Sequence, residues 1–213
     1  MMQNCGFDEI SGKNVLEIGS RDVNGSIRSF IQHLGCKEYI GIDISPGQGV
    51  DKVMDAQRLP EEFIENSFDI VICLEMLEHA KKWKEVVNGI KFILRPGGIV
   101  FLTTRSPGFP YHSYPWDFWR FTYDDIKTIF SDFLVLNIDN DIPSMPGVFI
   151  KALKKENFDP KIVENLKIFS ILNDKREQNV PQTKFKRKID IFLYHVAYKF
   201  FEIFVNLRKR LYS

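Results

Sequence analysis

The sequence predicts an α/β fold in which a doubly wound, mostly parallel sheet is covered by helices on both faces. Short, continuous apolar runs alternate with segments of helical character. Several of these runs end in an acid or a glycine, as strands of an open parallel sheet do at the edge that holds a ligand. A chain of 213 residues with 44% hydrophobic content is long enough to fill one such core.

The strands are expected at 14–18, 39–43, 50–54, 68–74 and 98–104. These runs are continuously apolar, which is typical of a sheet buried on both faces. Crossover helices are expected at 25–34 and 82–94. A later helix at 123–130, with Thr122 as its N-cap, precedes two further strands at 133–141 and 148–153.

The first strand, helix and strand form a nucleoside-binding pattern. The first apolar run ends around Glu17 and Gly19, and the second ends at Asp43. An ionised aspartate at the tip of the second strand can accept hydrogen bonds from the 2′ and 3′ hydroxyls of a ribose. A dinucleotide or a sulfonium nucleoside would satisfy this pattern equally well.

The glycine spacing favours the sulfonium nucleoside. Ser20, Arg21 and Asp22 follow Gly19, and the next glycine is Gly25, so the Gly-x-Gly-x-x-Gly spacing of a pyrophosphate site is missing. Acids near the turn disfavour a phosphate but tolerate a ligand that carries an ammonium and a sulfonium. A nicotinamide-dependent oxidoreductase and a catalytically inactive nucleoside-binding scaffold remain as alternatives.

Three further motifs follow in order: Asp55-Ala56, the segment 68–79 and the segment 95–104. With them, residues 13–154 resemble the class I S-adenosylmethionine-dependent methyltransferases with a type 11-like domain, although Arg21 replaces the family's middle glycine. The resemblance implies a Rossmann-like sheet of seven strands, one of them antiparallel, and S-adenosyl-L-methionine as cofactor. The cofactor-binding residues that it implies are Glu17, Gly19, Ser20, Arg21, Gly25, Ser26, Asp43, Ile44, Asp55, Ala56, Leu74 and Glu75. For Asp55, capping of the following turn is the alternative.

The segment 105–122 is too aromatic for a solvated loop and is expected to form the wall or lid of an acceptor pocket. A small-molecule, glycan or lipid-linked acceptor is expected, with transfer to oxygen favoured. The candidate substrate-binding residues are Arg105, His112, Tyr114, Trp116, Asp117, Trp119 and Arg120. As alternatives, Trp119 plugs the sheet edge and Asp117 pairs with Arg120.

His79 follows the fourth strand and is the candidate general base or acceptor-orienting group, because an imidazole titrates near neutrality. The alternative is a histidine that fixes the strand-to-helix corner. Glu78 is better explained as a first-turn acid that complements a helix dipole. No metal is expected, since no metal-ligand spacing is apparent.

The sequence divides into a methyltransferase domain at 1–155 and a basic, helical extension at 156–213. The first part holds 17 basic and 21 acidic residues, a net charge of −4, and the second holds 12 and 7, a net charge of +5. Within 184–213, a helix would gather a polar stripe that leaves a broad apolar face. The stripe comprises Lys188, His195, Lys199, Glu202, Asn206 and Lys209.

This face predicts contact with an anionic membrane surface, with a second subunit or with the domain itself. Nucleic acid is not expected as a partner, because the overall charge is only +1. Three scattered cysteines and a start that lacks a signal-peptide pattern predict a cytoplasmic protein, either free or peripheral at the inner face of the membrane.

Overall fold

The computed structural model describes residues 5–23, 25–112, 116–160 and 163–182, with the single positions 193 and 196. The strands are β1 (Asn14–Ile18), β2 (Glu38–Asp43), β3 (Lys52–Val53), β4 (Phe68–Leu74), β5 (Leu94–Arg105), β6 (Trp119–Arg120), β7 (Leu134–Asn140), β8 (Gly147–Leu153), β9 (Ile168–Ser170) and β10 (Lys175–Glu177). The α-helices are α1 (Phe7–Ile10), α2 (Arg28–His33), α3 (Leu59–Glu62), α4 (Trp83–Ile93) and α5 (Tyr123–Ile129). Short 3₁₀ turns lie at Ala56–Arg58 and Leu77–His79.

The main sheet of the described chain has the strand order β3-β2-β1-β4-β5-β8-β7. Strands β1 to β5 are parallel to one another, and β8 runs antiparallel to both β5 and β7. The predicted seven-stranded, doubly wound sheet with one antiparallel strand is therefore confirmed. Because the strand order reverses between β1 and β4, a crevice opens beyond their carboxyl ends.

Alternation along the strands sends side chains into two cores. Leu16 and Val71 belong to the larger core, which also contains helix α4. Val15 and Ile70 belong to a smaller core that contains Ile31 of helix α2. Both faces of the sheet are thus covered, as the continuous apolar runs require.

A second sheet of three short strands, in the order β10-β9-β6, was not predicted from the sequence. Trp119 pairs with Ser170, so a hairpin from beyond residue 155 closes over the aromatic segment. Val163 and Ile168 are buried in the larger core. The helical character predicted for 156–213 is therefore wrong for 168–170 and 175–177, which are strands, and the polar stripe predicted within 184–213 lies outside the described residues.

Helix α5 begins as predicted. Thr122 Oγ1 accepts a hydrogen bond from Asp125 N, and the Asp125 carboxylate accepts one from Thr122 N. This reciprocal capping box satisfies two amides that the helix itself leaves without partners. Among the described helices, none has both the length and the apolar content needed to cross a bilayer.

A buried ion pair joins helix α4 to the turn that follows α5. Lys91 Nζ donates to Asp132 Oδ2 and to the carbonyl of Ile129, each at 2.7 Å, and both charged side chains are almost fully buried. Removal of one partner from such a pair leaves a buried charge, which costs more than the pair itself contributes.

We therefore expect Lys91→Met to lower the free energy of unfolding by about 3 kcal/mol. The double variant Lys91→Met/Asp132→Asn should recover at least half of that loss, since its second substitution removes the buried carboxylate charge that the first leaves uncompensated. Guanidinium denaturation measures both, with Lys81→Met on the surface as the matched control. Equal stability of Lys91→Met and the control would contradict a contribution from the pair.

Candidate active site

The carboxyl ends of β1, β2 and β4 meet at one edge of the sheet. Ile18, at the end of β1, lies opposite Ile42 of β2 and Cys73 of β4. These strand ends are consequently neighbours in space, with Asp43 as the last residue of β2. This edge borders the crevice at the switch point.

The turn after β1 requires glycine. Gly19 has φ +79°, and a Cβ placed there would lie 2.8 Å from Cγ of Met76. The amides of Gly19 and Ser20 both donate to the carbonyl of Ile42, which holds the turn against β2. Arg21, which replaces the family's glycine, lays its aliphatic stem over Gly47. Its side chain is thereby drawn toward the loop that follows β2.

Glu17 lies inside the sheet rather than at its open tip. Its Oε2 accepts a 2.5 Å hydrogen bond from the hydroxyl of Tyr39. Burial raises the pKa of Glu17, and the Tyr39 hydrogen bond only partly offsets this effect. The guanidinium of Arg28 lies 4.9 Å from the centre of the Tyr39 ring. Tyr39 and Arg28 are part of this polar group, and no motif in the sequence identifies them.

Ser20 and Asp43 offer polar atoms next to the turn. Asp43 accepts hydrogen bonds from Ser45 N at 2.8 Å and from Arg21 N at 3.4 Å. Ser20 Oγ is buried and makes no hydrogen bond within the described part of the chain. Ile44 follows Asp43 and leaves 66% of its surface exposed.

Asp55 takes the capping role that was its alternative. Its Oδ1 accepts a hydrogen bond from Gln57 N at 2.9 Å, and Gln57 Nε2 contacts both carboxylate oxygens. The neighbouring Ala56 is half-buried. Gly25 and Ser26 are exposed, and Ser26 Oγ accepts a hydrogen bond from Arg28 N.

Leu74 and Glu75 form the exit from β4. Glu75 has φ +52°, a left-handed conformation that costs energy in a residue other than glycine. Its amide donates to the carbonyl and the hydroxyl of Thr103 at 3.0 and 3.1 Å, which stabilises this conformation. Its carboxylate pairs with Arg105, and burial together with Glu78 raises its pKa. Arg105, a predicted substrate residue, is thus committed to an ion pair and lies over the ring of Phe109.

Glu78, His79 and His112 form a polar group that we call the histidine cluster. Glu78 is fully buried, and its Oε2 accepts a 2.8 Å hydrogen bond from Thr104 Oγ1. Its Oε1 has no hydrogen-bond partner among the described residues. The Nε2 atoms of His79 and His112 each lie 3.9 Å from this oxygen. Burial raises the pKa of Glu78. Glu78 is therefore more than a helix-dipole acid, because its contact with Thr104 makes it part of the site.

The hydrogen bonds of His79 define its tautomer. Its Nδ1 lies 2.5 Å from the carbonyl oxygen of Trp116, and since a carbonyl only accepts, Nδ1 carries the proton. Burial, with a further contribution from His112, lowers the pKa of His79 to about 4. The ring is consequently neutral at pH 7, and its Nε2 presents a lone pair.

Three predicted substrate residues are too deeply buried to meet a ligand. Trp119 is fully buried and donates through Nε1 to the carbonyl of Ala80 at 3.0 Å. Asp117 and Arg120 are also fully buried and form a two-bond ion pair of 2.6 and 2.8 Å. Direct substrate contact is wrong for these three residues, because their polar atoms are already used within the fold. The structure instead agrees with the two alternatives, in which Trp119 packs within the fold and Asp117 pairs with Arg120.

The remaining acceptor-side residues lie nearer to solvent. Trp116 leaves 60% of its surface exposed and packs edge-on against Phe118. His112 is partly exposed, and its backbone amide donates to Asp117 Oδ2 at 2.7 Å. Tyr114 lies outside the described residues.

Comparison with known proteins agrees with this geometry. The profile of the methyltransferase domain family matches residues 3–133. The ubiquinone biosynthesis O-methyltransferase of Pseudomonas aeruginosa is 33% identical over 114 residues, which cover 46% of this chain and 47% of that protein. The corresponding protein of Dechloromonas aromatica is 32% identical over the same coverage. The chain thus spans just under half the length of the curated relatives that it matches.

Two solved structures are similar in fold. The S-adenosylmethionine-dependent methyltransferase of Mesorhizobium loti has a TM-score of 0.55 at 15% identity, covering 68% of this chain and 93% of that one. The 1,6-didemethyltoxoflavin-N1-methyltransferase of Burkholderia thailandensis, solved with S-adenosylhomocysteine, has a TM-score of 0.57 at 15% identity, covering 68% and 72%. Since the family profile spans more than half of the chain and the sheet has the expected order, this chain belongs to the methyltransferase domain family and to its class I, S-adenosylmethionine-dependent fold.

Proposed function

We propose that this chain transfers the methyl group of S-adenosylmethionine to a hydroxyl oxygen of a small-molecule, glycan or lipid-linked acceptor. The observation that carries the proposal is the position of the histidine cluster, because two of its members, Glu78 and His79, follow β4 and so border the crevice that suits the cofactor. The name O-methyltransferase of the curated relatives supports oxygen as the receiving atom.

The cofactor would lie along the ends of β1, β2 and β4. Asp43 would hold the ribose hydroxyls, and the exposed side chain of Ile44 beside it offers an apolar surface for the adenine. The buried Ser20 Oγ, which the described chain leaves without a partner, is available to a polar group of the cofactor. Gly19, Leu74 and the remaining implied residues would line the path between them.

The charge of the crevice suits this cofactor better than a dinucleotide. Glu17, Glu75 and Glu78 lie at or behind the edge, and burial raises the pKa of each. A sulfonium and an ammonium would favour the ionised carboxylates, whereas a pyrophosphate would oppose them. Together with membership of the methyltransferase family, this disfavours the nicotinamide-dependent alternative.

In this proposal, most of the rate enhancement comes from alignment of the acceptor oxygen with the methyl carbon and the sulfur. The sulfonium is a strong leaving group, so an acceptor oxygen held in line with the methyl carbon and the sulfur needs little further help. The bond from oxygen to methyl carbon forms as the bond from methyl carbon to sulfur breaks, and the hydroxyl proton is released. S-adenosylhomocysteine and the methyl ether are the products.

His79 would act on the acceptor as an orienting group. Its neutral Nε2 can accept a hydrogen bond from the acceptor hydroxyl and turn a lone pair of that oxygen toward the methyl carbon. A pKa of about 4 makes the ring a weak proton acceptor, since efficient general bases titrate near the working pH. Exposed Trp116 would stack on a flat face of the acceptor.

Cofactor binding is tested by calorimetric titration with S-adenosylmethionine and S-adenosylhomocysteine, with NADH as the competing ligand. We expect both sulfur nucleosides to bind and NADH not to bind. Asp43→Ala should weaken binding by about 1 to 3 kcal/mol, the loss expected for hydrogen bonds to a charged group. Asp124→Ala, in the exposed first turn of α5, is the matched control. Binding of NADH alone, or no binding by a folded sample, would reject the proposed cofactor and favour the scaffold alternative.

The acceptor class is tested by following S-adenosylhomocysteine formation with a panel of phenolic, glycan and lipid-linked hydroxyl compounds, alongside amine and thiol analogues. With an accepted hydroxyl compound, His79→Gln should lower kcat by roughly 10- to 100-fold and leave the affinity for S-adenosylmethionine unchanged, because the ring touches only the acceptor. His33→Gln, at the exposed end of helix α2, should behave as the wild type. Transfer to amines alone, or an unchanged kcat in His79→Gln, would refute the respective assignment.

The lowered pKa of His79 also has a consequence for stability. The unfolded chain binds a proton at this residue below pH 6.5, whereas the folded chain does so only below about 4, so folding loses stability as the pH falls between these values. The contribution of His79 to this loss is roughly 3 kcal/mol. The free energy of unfolding of His79→Gln should therefore fall less steeply than that of the wild type from pH 6.5 to 4. Parallel curves would show that the folded ring titrates normally.

A further inference from the structure

We infer that the histidine cluster binds a divalent transition-metal ion of the zinc class through Glu78 Oε1, His79 Nε2 and His112 Nε2. This inference deepens the proposed function and rests on it only for its consequence in catalysis. No metal-ligand spacing marks this site in the sequence, because Glu78 and His79 are separated from His112 by more than thirty residues.

The three ligand atoms already surround a common point. One ligand atom from each residue lies within 4.8 Å of the other two, and the carboxylate oxygen Oε1 is 3.9 Å from each Nε2. Bonds of about 2.0 to 2.1 Å in a tetrahedral shell would place neighbouring ligands about 3.4 Å apart. Metal binding therefore needs a contraction of about half an ångström between the oxygen and each nitrogen, and of at most about 1.4 Å between any two ligand atoms.

Both rings have their outward-facing nitrogens fixed by neighbouring groups. The carbonyl of Trp116 keeps the proton of His79 on Nδ1. Nδ1 of His112 makes no hydrogen bond in the described part of the chain, but it lies 3.0 Å from Asp117 Oδ2, so a carboxylate lies against this nitrogen. The Nε2 atom of each ring lies 3.9 Å from Oε1 of Glu78. Such a partner behind each histidine is the usual arrangement around metal-binding imidazoles.

The buried ion pair of the aromatic segment provides the support behind His112. Both guanidinium nitrogens Nη1 and Nη2 of Arg120 bind the carboxylate of Asp117, and neither residue is exposed. Asp117 in turn accepts a hydrogen bond from the backbone amide of His112. The backbone and the ring of this histidine therefore contact one rigid carboxylate.

Glu78 provides the independent sign of a missing cation. Its Oε1 is fully buried and has no hydrogen-bond partner in the described ranges. A carboxylate oxygen removed from water normally has such a partner, because its desolvation is costly. A cation bound at this oxygen would supply the missing interaction.

The ligand types select the ion. Two imidazole nitrogens with one carboxylate suit zinc, iron, cobalt or manganese, whereas magnesium and calcium prefer oxygen ligands. Three protein ligands leave at least one position open, and an acceptor hydroxyl could occupy it. A bound zinc-class ion would then hold that oxygen in place of the imidazole and ease release of its proton to water.

The test uses the full chain after treatment with a chelator and dialysis. Addition of Co²⁺ should produce visible absorption bands of a low-coordinate nitrogen and oxygen site, saturating at one equivalent, and calorimetry with Zn²⁺ should give the same stoichiometry. Glu78→Gln and His112→Gln should each weaken Zn²⁺ binding at least 100-fold. His33→Gln should bind as the wild type does.

Far-ultraviolet circular dichroism serves as the folding check for every variant, because it reports the fold without depending on the carboxylates that border the cofactor crevice. If one cluster variant fails this check, the other decides the result. Absence of Co²⁺ bands in the wild type, or Zn²⁺ affinity that both folded variants retain, would overturn the metal site. Methyl transfer that survives chelation without loss would overturn only the catalytic consequence, whereas a metal-loaded protein that methylates no hydroxyl acceptor would overturn the proposed function.

Discussion

The buried ion pair between Arg120 and Asp117 is the interaction on which the aromatic segment of the site depends. Arg120 is a fully buried residue of β6, and its guanidinium binds both oxygens of Asp117. It also donates to the carbonyls of Phe109, Pro110 and Trp119, at 3.1, 2.8 and 2.7 Å. A buried charge of this kind is tolerated only when its donors are satisfied. Its partners all lie within residues 109–120, so the same requirement that keeps Arg120 stable also fixes the path of the aromatic segment.

The position of the histidine cluster follows from this path. Asp117, held by Arg120, contacts both the amide and the ring of His112. The carbonyl of Trp116, in the same segment, contacts Nδ1 of His79. The hairpin β9–β10 then covers Trp119 through pairing with β6. The site is consequently assembled by a segment that has little regular secondary structure and owes its order to buried polar contacts.

Much of the fold could be predicted because its information is local. Strand β4 was predicted with its observed bounds, since a continuous apolar run buried on both faces is an unambiguous signal. Helix α5 was predicted within one residue, because Thr122 and Asp125 form a cap whose residues are adjacent in sequence. The hairpin was missed because Lys175–Glu177 is short and polar, and only its pairing with Ile168–Ser170 makes it a strand.

The site residues also differ in whether local sequence determines their positions. Asp43 and Gly19 could be placed because a strand tip is a position that the chain itself encodes. The burial of Glu78 could not be predicted, since its hydrogen-bond partner Thr104 lies on β5 and is distant in sequence. Trp119 and Arg120 were expected near the substrate for a similar reason. An aromatic or charged side chain in a loop has the same sequence signature whether it faces a ligand or the core.

Three carboxyl groups with raised pKa values lie along this edge of the sheet, from the cofactor crevice to the histidine cluster. Burial makes ionisation of Glu17, Glu75 and Glu78 unfavourable in the free protein. A cation next to any of them would favour the ionised form and lower the pKa of that carboxyl. Glu17 lies within β1, Glu75 lies at the exit from β4, and Glu78 belongs to the histidine cluster. Glu78 raises the pKa of Glu75, so a cation next to either of these two carboxylates would also act on the other. This coupling supports the proposed sulfonium donor and the proposed metal ion over any anionic ligand.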